Sequence, residues 1–362
     1  MKALLKARHV TKVFGSGLIS RSKTAALKDF SLAISTEQPS IIGVVGESGS
    51  GKTTMARLLL GLESPTEGEV SYRGKDLRKL GRDEWLQFRR DVQAVFQDPF
   101  EVYNPFYRVD HVLEVPIAKF RLASSRREAQ MLMEQVLQAV GLRPGETLGR
   151  YPHELSGGQR QRVMVARALL VKPKLIIADE PVSMIDASLR ASVLENLRKL
   201  NEDFGISLIY ITHDLTTAYQ ISEDIIVLYR GAVAEAGDVQ LVVPQPEHPY
   251  TRLLVGSIPL ADPDVPWQGE RALGKPAGLT PTGDSFCAFH ERCPYAMPVC
   301  VEQAPPLFRT APHRVSACYL YREAPIIASE AMGEVLGARR GHDVTIPIAA
   351  TDPLPTSETA TG

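Results

Sequence analysis

A glycine-rich stretch, GESGSGKTT, occupies residues 46–54 and carries the first group of residues that could do chemistry. It follows the apolar run IIGVV and opens a helical pattern, which is the setting that G-x-x-x-x-G-K-[ST] requires for phosphate binding. Glycine permits the backbone angles that turn N–H groups toward a phosphate chain, while Lys52 adds a point charge and Thr53 a hydroxyl ligand for Mg²⁺. A chance glycine-rich turn is the alternative, and the flanking strand and helix argue against it. The predicted nucleotide-binding residues are Gly46, Glu47, Ser48, Gly49, Ser50, Gly51, Lys52, Thr53 and Thr54.

An acidic pair ends a second apolar run, KLIIADEP, at residues 174–181. A metal ion beside a phosphate needs an oxygen ligand, and an attacking water needs a group that orients it. Ligands bind at the carboxyl edge of a parallel sheet, where both acidic residues would lie. We therefore assign Asp179 to the Mg²⁺ shell and Glu180 to polarising the water. A solvated acidic pair at a strand exit is the alternative, which the neighbouring phosphate loop disfavours.

The segment LSGGQRQR, residues 155–162, places a serine and two glycines where a further helix should begin. Free N–H groups and a hydroxyl at a helix N-terminus form an anion site. Because the chain already has a phosphate loop, a second anion site suggests closure on a nucleotide held by another subunit. The interaction of a charge with the helix dipole contributes only about 0.3 to 1 kcal/mol, so closure should be reversible. An ordinary serine-capped helix is the alternative reading of Ser156, Gly157, Gly158 and Gln159.

The chain's four cysteines lie within 32 residues of one another, at Cys287, Cys293, Cys300 and Cys318. Their spacings differ from the paired C-x2-C pattern of zinc ribbons. Four thiolates suit either Zn²⁺ or an iron–sulfur cluster, and a bound metal could stabilise a small lobe by on the order of 10 kcal/mol. A disulfide would need an oxidising compartment. Four unrelated buried cysteines are the remaining alternative, against which their clustering argues.

The elements that must position these residues indicate an α/β fold. Continuous apolar runs are typical of parallel strands covered on both faces, and they occur at 41–45, 174–178, 207–212 and 224–229. Short alternating runs in the first 80 residues predict strands around one early helix. Helical patterns in SRREAQMLMEQVLQAVGL and GGQRQRVMVARALLV predict a helical insertion between the core strands.

The last third of the chain has a different composition. Between Pro244 and Pro312 lie 13 of the 26 prolines, too densely for long helices or central strands. We predict a nucleotide-binding part at residues 1–240 with a helical subdomain at about 100–165. A loop-rich lobe should follow at 241–321 and a disordered tail at 322–362.

Composition and charge limit which partners and which cellular compartment are expected for this chain. The formal net charge is −1, from 41 basic and 42 acidic residues, so no overall field attracts nucleic acid or an anionic membrane. The N-terminus lacks the pattern of a secretory leader, and no stretch reaches the roughly 18 to 20 apolar residues of a membrane span. We therefore expect a soluble, cytoplasmic protein, in which clustered cysteines more often bind metal or react than form disulfides.

Together these motifs resemble those of the ATP-binding cassette (ABC) ATPases. GESGSGKTT matches the Walker A motif, LSGGQ the signature motif and LIIADE the Walker B motif, and the resemblance covers residues 1 to about 235. It implies a P-loop NTPase core with an antiparallel β subdomain and a helical subdomain. It also implies ATP and Mg²⁺ as ligands, and hydrolysis that depends on Glu180.

Four further positions follow from the resemblance. Gln97 in AVFQDPF corresponds to the glutamine that senses the metal ion and the γ-phosphate, so it joins Thr53 and Asp179 as a predicted Mg²⁺ ligand. His213 in ITHDL corresponds to the switch histidine, placed to contact the γ-phosphate. Asp186 corresponds to an aspartate that reaches across the dimer.

Phe14 corresponds to the aromatic residue that stacks on adenine, and a core aromatic is the alternative. The run DEPVSMID departs from the family's usual D-E-P-T-S-A-L-D at Val182, Met184 and Ile185. These differences place the geometry of cross-subunit coupling in question, but not hydrolysis.

Two segments resemble the peptide and nickel importer branch of the family, PEHPYTRLL at 246–254 and QDPFEVYNP at 97–105. This resemblance implies a second ABC ATPase subunit, either a paralogue or this chain itself. It also implies two integral membrane permeases and, indirectly, an extracytoplasmic substrate-binding protein, with no nucleic acid partner. The chain would lie peripherally on the cytoplasmic face of a bacterial or archaeal cell membrane.

The cargo is the least determined part of this resemblance. Di- or oligopeptides are expected, and nickel or oligosaccharides are the alternatives, because the ATPase does not touch the cargo. A non-transport ATPase that acts on DNA or ribosomes is a further alternative. Such proteins usually carry a long coiled-coil insertion or a second cassette, which this sequence lacks.

The same branch offers an interpretation of the four cysteines. A cysteine-rich segment with the motif C-P-Y-A, found here at Cys293–Ala296, is associated there with a [4Fe–4S] cluster. The resemblance therefore favours [4Fe–4S] over zinc at Cys287, Cys293, Cys300 and Cys318.

Overall fold

The computed structural model describes residues 3–15, 24–96, 103–183, 187–258, 278–281 and 285–336. In chain order its strands are β1 (Ala3–Phe14), β2 (Thr24–Ser35), β3 (Ile41–Val45), β4 (Glu67–Tyr72), β5 (Lys75–Asp76), β6 (Val92–Val95), β7 (Leu175–Asp179), β8 (Ser207–Thr212), β9 (Asp224–Tyr229), β10 (Ala232–Asp238), β11 (Leu307–Ala311), β12 (Arg314–Ser316) and β13 (Ile326–Ile327). Its α-helices are α1 (Lys52–Leu59), α2 (Arg82–Asp91), α3 (Asp110–Phe120), α4 (Arg126–Ala139), α5 (Pro144–Thr147), α6 (Gly157–Leu169), α7 (Ala187–Phe204), α8 (Leu215–Ile221), α9 (Val239–Val242), α10 (Pro249–Gly256), α11 (Pro298–Glu302) and α12 (Met332–Val335).

A mixed sheet runs through the described part of the chain in the order β13-β11-β12-β10-β9-β3-β8-β7-β6. The strands from β9 to β6 in this order pair in parallel. Every residue of β3, β7, β8 and β9 is buried, as expected for parallel strands covered on both faces. The predicted parallel α/β core is confirmed, and it brings the carboxyl ends of β3, β7 and β8 to one edge.

A second, antiparallel sheet has the order β2-β1-β4-β5 and covers the first helix. Met55, Leu58 and Leu59 of α1 are buried in the same apolar cluster as Phe30 of β2 and Ile211 of β8. The helix that follows the glycine-rich loop is thus clamped between the two sheets. The implied antiparallel β subdomain is confirmed.

The helical insertion is built from α3, α4 and α6, which pack through one apolar cluster. The hydroxyl of Ser125 caps α4 by accepting a hydrogen bond from the Glu128 N–H at 3.2 Å. Gly141, at φ 71°, follows the end of that helix. These boundaries match the helical patterns of the sequence, because a serine cap and a left-handed glycine are the usual start and stop signals.

The C-terminal lobe extends the central sheet. Strand β12 pairs antiparallel with β10, and β11 and β13 continue the same sheet outward. The predicted disordered tail does not hold for residues 322–336, because β13 pairs with β11 and because Met332 and Val335 are fully buried in the cluster beneath β2. Residues 337–362 lie outside the described ranges. Among the described residues, no helix is long and apolar enough to span a membrane.

Candidate ATP site

The glycine-rich loop is shaped by contacts that exclude side chains at two positions. Gly46 has φ 153°, and a Cβ there would lie 2.2 Å from the Leu228 carbonyl oxygen. Gly51 has φ 105°, and a Cβ there would lie 2.3 Å from the Ala26 carbonyl oxygen. Both angles favour glycine, and both contacts are with rigid backbone. The loop therefore leaves β3 and enters α1 along a path that only glycine allows.

Lys52 begins α1 and lies inside the curve of the loop. It is buried, and its Nζ donates hydrogen bonds to the carbonyl oxygens of Gly46 at 2.6 Å and Glu47 at 3.0 Å. Burial lowers the pKa of Lys52, while the carboxylates of Glu180, Asp179 and Glu47 oppose that shift. The ammonium is thus held among polar groups where it can neutralise phosphate oxygens.

Thr53 and Asp179 bring two oxygen donors together. The side chain of Thr53 hydrogen-bonds the buried carboxyl group of Asp179 at the end of β7. Burial is the largest cause of a raised pKa at Asp179, and Lys52 and Arg57 oppose it. A hydroxyl and a carboxylate are the oxygen ligands that Mg²⁺ accepts in such sites, and a cation would stabilise the charged carboxylate. The donor set therefore fits the expected metal ion.

Glu180 and His213 form a pair at the same sheet edge. Oε1 of Glu180 lies 2.9 Å from Nδ1 of His213, the residue that follows β8. Glu180 has φ 48°, and its N–H donates to the Ile211 carbonyl oxygen at 2.8 Å while its own carbonyl accepts from Ser183. A non-glycine residue held in a left-handed conformation by its neighbours is typical of functional sites. The backbone thus fixes where this carboxylate points.

The signature segment begins α6 with a reciprocal cap. The hydroxyl of Ser156 accepts from the Gln159 N–H at 3.2 Å, and the Ser156 N–H donates to Oε1 of Gln159 at 2.9 Å. Within one chain these residues, with Gly157 and Gly158 in the first turn, therefore form the ordinary serine cap that the sequence left open. Their contact with a nucleotide on another subunit stays a prediction.

Of three further predicted site residues, Phe14, Gln97 and Asp186, the structure describes only Phe14. Phe14 ends β1 with 42% of its surface exposed, so it is not a core aromatic, and Nζ of Lys12 lies 5.0 Å from its ring centre. An exposed ring at this strand end is free to stack on a base. Gln97 and Asp186 lie outside the described residues.

Two residues that the motifs did not reveal contact the glycine-rich loop from the C-terminal lobe. The Glu47 N–H donates to the hydroxyl of Tyr250 at 2.8 Å. Nη1 of Arg292 lies 3.0 and 2.9 Å from the two carboxylate oxygens of Glu47. In the sequence, Tyr250 is part of PEHPYTRLL and Arg292 precedes Cys293, but nothing local indicates that either reaches residue 47.

The first turn of α10 explains why Tyr250 is held firmly. Nδ1 of His248 accepts a hydrogen bond from the Tyr250 N–H at 3.0 Å, and Pro249 occupies the first helical position. The carboxyl group of Glu235 accepts from the N–H groups of Glu247 and His248. Burial raises the pKa of Glu235 to about 7 and lowers that of His248 to about 3. This helix is therefore anchored to β10 rather than lying on the surface.

The four cysteines line one small pocket beside His248, His290 and Tyr319. All four are free thiols, and burial raises the pKa of each. Backbone N–H groups point at every sulfur, from Phe289 and His290, from Tyr295, from Met297 and from Leu320. Yet among the described residues no three His, Cys, Asp or Glu side chains are arranged closely enough to hold a metal ion as they stand.

One edge of the parallel sheet carries a glycine-rich loop, a buried lysine and a strand that ends in two acidic residues. This arrangement defines a P-loop nucleotide hydrolase. Comparison with known proteins makes the class more specific. The ABC transporter family matches residues 27–183, and the oligopeptide/dipeptide transporter C-terminal region matches residues 234–300. This chain belongs to the ATP-binding proteins of the ABC transporter family, and it is an ATPase.

The similar proteins cover most of the chain. The oligopeptide transport ATP-binding protein OppF of Salmonella typhimurium is 41% identical over 278 residues, 76% of this chain and 82% of that protein. The oligopeptide transport ATP-binding protein AppF of Bacillus subtilis is 37% identical over 324 residues, 88% of this chain and 98% of that protein. The di/tripeptide transport ATP-binding protein DppF of Pseudomonas aeruginosa is 38% identical over 323 residues, 88% of this chain and 98% of that protein.

Solved structures agree on the fold of the cassette. A dimeric ATP-binding cassette in a post-hydrolysis state, with ADP and Pi bound, is 33% identical, with a TM-score of 0.57 over 65% of this chain and 98% of that one. CbiO1 of Clostridium perfringens, part of the transporter complex CbiONQ, is 23% identical, with a TM-score of 0.57 over 67% of this chain and 91% of that one.

Proposed function

We propose that this chain is the ATP-hydrolysing subunit of an importer that carries di- or oligopeptides delivered by a binding protein. The observation that carries this proposal is the match of residues 234–300 to the oligopeptide/dipeptide transporter C-terminal region, in a chain whose first part is an ABC ATPase. The relatives named above are ATP-binding proteins of oligopeptide or di/tripeptide transport. Nothing in the described residues favours nickel or oligosaccharides as cargo.

In this proposal the ATP phosphates lie in the loop of residues 46–54, neutralised by Lys52. The Mg²⁺ ligands are Thr53, Asp179 and Gln97, and the ion supplies charge neutralisation on the phosphate oxygens when it is bound. Phe14 stacks on the adenine ring. The exposed position of Phe14 and the hydrogen bond between Thr53 and Asp179 support these roles.

Glu180 orients the attacking water, and His213 positions Glu180 and contacts the γ-phosphate. The 2.9 Å contact between Nδ1 of His213 and the carboxylate supports the pairing. A carboxylate whose backbone is fixed at φ 48° loses little freedom on reaching the reactive geometry. The reaction is then the transfer of the γ-phosphoryl group to water, with the water proton passing toward Glu180.

The complete site forms between two ATPase subunits, the second being a paralogue or another copy of this chain. Ser156, Gly157, Gly158 and Gln159 of one subunit face the nucleotide held by its partner, and Asp186 reaches across the interface. Two integral membrane permeases bind this pair on the cytoplasmic side of the cell membrane, where the chain is a peripheral subunit. The Ser156 cap uses the Gln159 N–H but not those of Gly157 and Gly158, which can face an anion, and this supports the arrangement.

We further propose that residues 1–240 form the nucleotide-binding part, with the helical subdomain at about 100–165, and that 241–321 form an accessory lobe. In that lobe Cys287, Cys293, Cys300 and Cys318 hold a [4Fe–4S] cluster. Support comes from the single pocket the four share and from the N–H groups aimed at their sulfurs, which stabilise thiolates in iron–sulfur sites.

The cysteine proposal is tested by iron, sulfide and zinc analysis of anaerobically purified protein, with its visible absorbance spectrum. About four iron and four sulfide per chain are expected, and Cys300→Ser should lose most of both. Ser257→Ala, an exposed polar change on the same lobe, is the matched control. Zinc without iron, or neither metal, contradicts the [4Fe–4S] proposal.

The importer proposal is tested by isolating the tagged chain from gently solubilised membranes of its own host. Two polytopic membrane proteins should co-purify, and ATP hydrolysis of the complex should rise when a peptide-loaded binding protein is added. Co-purification with ribosomes or DNA, without any membrane subunit, would contradict the importer proposal. If a nickel- or sugar-loaded binding protein stimulates hydrolysis and a peptide-loaded one does not, the cargo is nickel or a sugar instead of a peptide.

A further inference from the structure

Glu47, the second residue of the glycine-rich loop, is held from outside the nucleotide-binding part. Its backbone N–H is bonded to the hydroxyl of Tyr250, and its carboxylate to Arg292, both at or below 3.0 Å. On its inner side, the Glu47 carbonyl oxygen accepts from Nζ of Lys52 at 3.0 Å and from the Ser50 N–H at 3.1 Å. One residue thus joins the lobe to the phosphate loop.

The two lobe residues are themselves firmly anchored. Tyr250 is fully buried, and its ring lies 4.4 Å from that of Tyr229 and 5.6 Å from that of Phe289, measured between centres. The guanidinium of Arg292 lies 5.7 Å from the Phe289 ring centre and also hydrogen-bonds the Tyr229 side chain. Planar guanidinium groups held in this way lose little freedom when they bind a carboxylate.

Because Glu47 is negatively charged, its contact with Arg292 affects the electrostatics of the phosphate loop. A carboxylate in the second position of a loop that binds phosphates repels them, because like charges at short range disfavour each other. Arg292 offsets that charge, and Glu47 in turn raises the pKa of Arg292. The pair is partly exposed, with 32% and 42% of the side-chain surfaces accessible, so its contribution is modest and sensitive to salt.

We propose that Arg292 is a positioning residue of the ATP site: it holds and neutralises Glu47 so that the loop keeps its phosphate-binding shape. Tyr250 fixes the orientation of the Glu47 N–H in the same loop. The C-terminal lobe therefore completes the ATP site of its own chain. This inference rests on the proposed role of residues 46–54 in binding the phosphates of ATP.

The test measures the affinity of purified full-length variants for a fluorescent ATP analogue and for ADP. Arg292→Met should weaken both by about 5-fold, because the Glu47 charge is left uncompensated. Glu47→Gln should stay within about 2-fold of the wild type, and the double variant Glu47→Gln/Arg292→Met should recover to a similar value, since the repulsion is gone. Arg292→Lys should restore most of the affinity.

Salt dependence and a matched control separate electrostatics from loss of structure. The defect of Arg292→Met should shrink when salt is raised from about 50 mM to about 500 mM, a range over which charge interactions become screened. Arg230→Met removes the neighbouring ion pair between the core and Glu291, at 2.8 Å, without touching the loop, and should leave affinity unchanged. Thermal unfolding of each variant checks that the lobe is folded.

The outcomes distinguish this inference from the proposed function. If Lys52→Ala abolishes binding while Arg292→Met binds like the wild type, the inference is overturned and the proposed ATP site stands. A double variant as weak as Arg292→Met, at all salt concentrations, also overturns it, because it indicates general damage to the lobe. If Lys52→Ala binds like the wild type, the proposed phosphate site itself fails.

Discussion

The nucleotide-binding part and the C-terminal lobe use buried polar groups in opposite ways. In the former, Lys52, Asp179 and Glu180 lie at one sheet edge, and their unlike charges offset part of the cost of burial. In the lobe and its junction with β10, Glu235 and His248 are fully buried and satisfied mainly by backbone groups. The former arrangement is prepared for an ionic ligand, while the latter fixes backbone segments in place.

This contrast indicates how the two parts depend on each other. Charged groups at a ligand site are costly without their ligand, so such a site benefits from rigid surroundings. The lobe supplies one such support, because α10 and the segment around Arg292 contact the loop through Glu47. If our proposal for Arg292 holds, the lobe takes part in ATP binding as well as being a feature of this branch of the family.

Removing the central cation of the nucleotide-binding part should have the largest effect. Lys52→Ala removes the ammonium that lies among the loop carbonyls, so we expect nucleotide affinity to fall by about 100-fold or more. Equilibrium binding of the fluorescent ATP analogue measures this change. Lys199→Ala, an exposed change on α7, is the control, and equal affinity in both variants would contradict the assignment.

Changing Glu180, the carboxylate that we propose orients the attacking water, should separate ATP binding from hydrolysis. Glu180→Gln keeps the shape of the side chain but removes the base, so we expect hydrolysis to fall by about 100-fold or more with ATP affinity retained. Comparison of kcat with the dissociation constant measures the two effects. Glu195→Gln on α7 should behave like the wild type, and wild-type turnover by Glu180→Gln would refute the role of Glu180.

The stability of the lobe junction should depend on pH through the buried carboxyl group of Glu235. Burial raises the pKa of Glu235 from 4.5 to about 7, so the folded state binds an extra proton between these values, and stability is lost as pH rises through about 7. Between pH 5 and 8 the free energy of unfolding should fall by about 2 kcal/mol more in the wild type than in Glu235→Gln, which keeps an acceptor oxygen.

Chemical denaturation at the two pH values measures this difference. Glu247, whose pKa is also raised by burial, interacts with Glu235, so the same comparison is repeated in a Glu247→Gln background. Parallel pH dependences in the two proteins would show that Glu235 does not carry the extra proton.

Removing the exposed aromatic ring of β1 should have the smallest effect of the series. Phe14→Ala removes the ring that we propose stacks on adenine, so we expect affinity for ATP and ADP to fall by about 10-fold. Inorganic triphosphate, which has no base, serves as the comparison ligand and should bind both proteins equally. An equal loss for triphosphate and ATP would mean that Phe14 supports the loop instead of the base.

Local sequence was sufficient to predict the site residues that lie in short continuous motifs. Lys52 and Thr53 follow from the glycine-rich loop, and Asp179 and Glu180 from the end of an apolar strand, because strand, loop and helix are adjacent in the chain. The parallel strands were equally clear, since burial on both faces requires continuous apolar runs.

The links between the two parts could not be predicted in this way. Glu47 and Arg292 are 245 positions apart, and their contact depends on how the lobe folds onto the core. The order of residues 322–336 depends likewise on pairing with β11 and on burial against β2, neither of which can be read from this short segment alone. Both the contact between Glu47 and Arg292 and the order of residues 322–336 result from packing between parts of the chain that are distant in sequence.

The most direct test of the account is ATP hydrolysis by this chain assembled with its membrane subunits in lipid vesicles, measured with and without the peptide-loaded binding protein. We predict that the loaded binding protein raises hydrolysis severalfold, that labelled peptide accumulates inside the vesicle compartment on the ATPase side, and that Glu180→Gln abolishes both. Hydrolysis that is the same with and without the loaded binding protein, together with no peptide accumulation, would contradict the account.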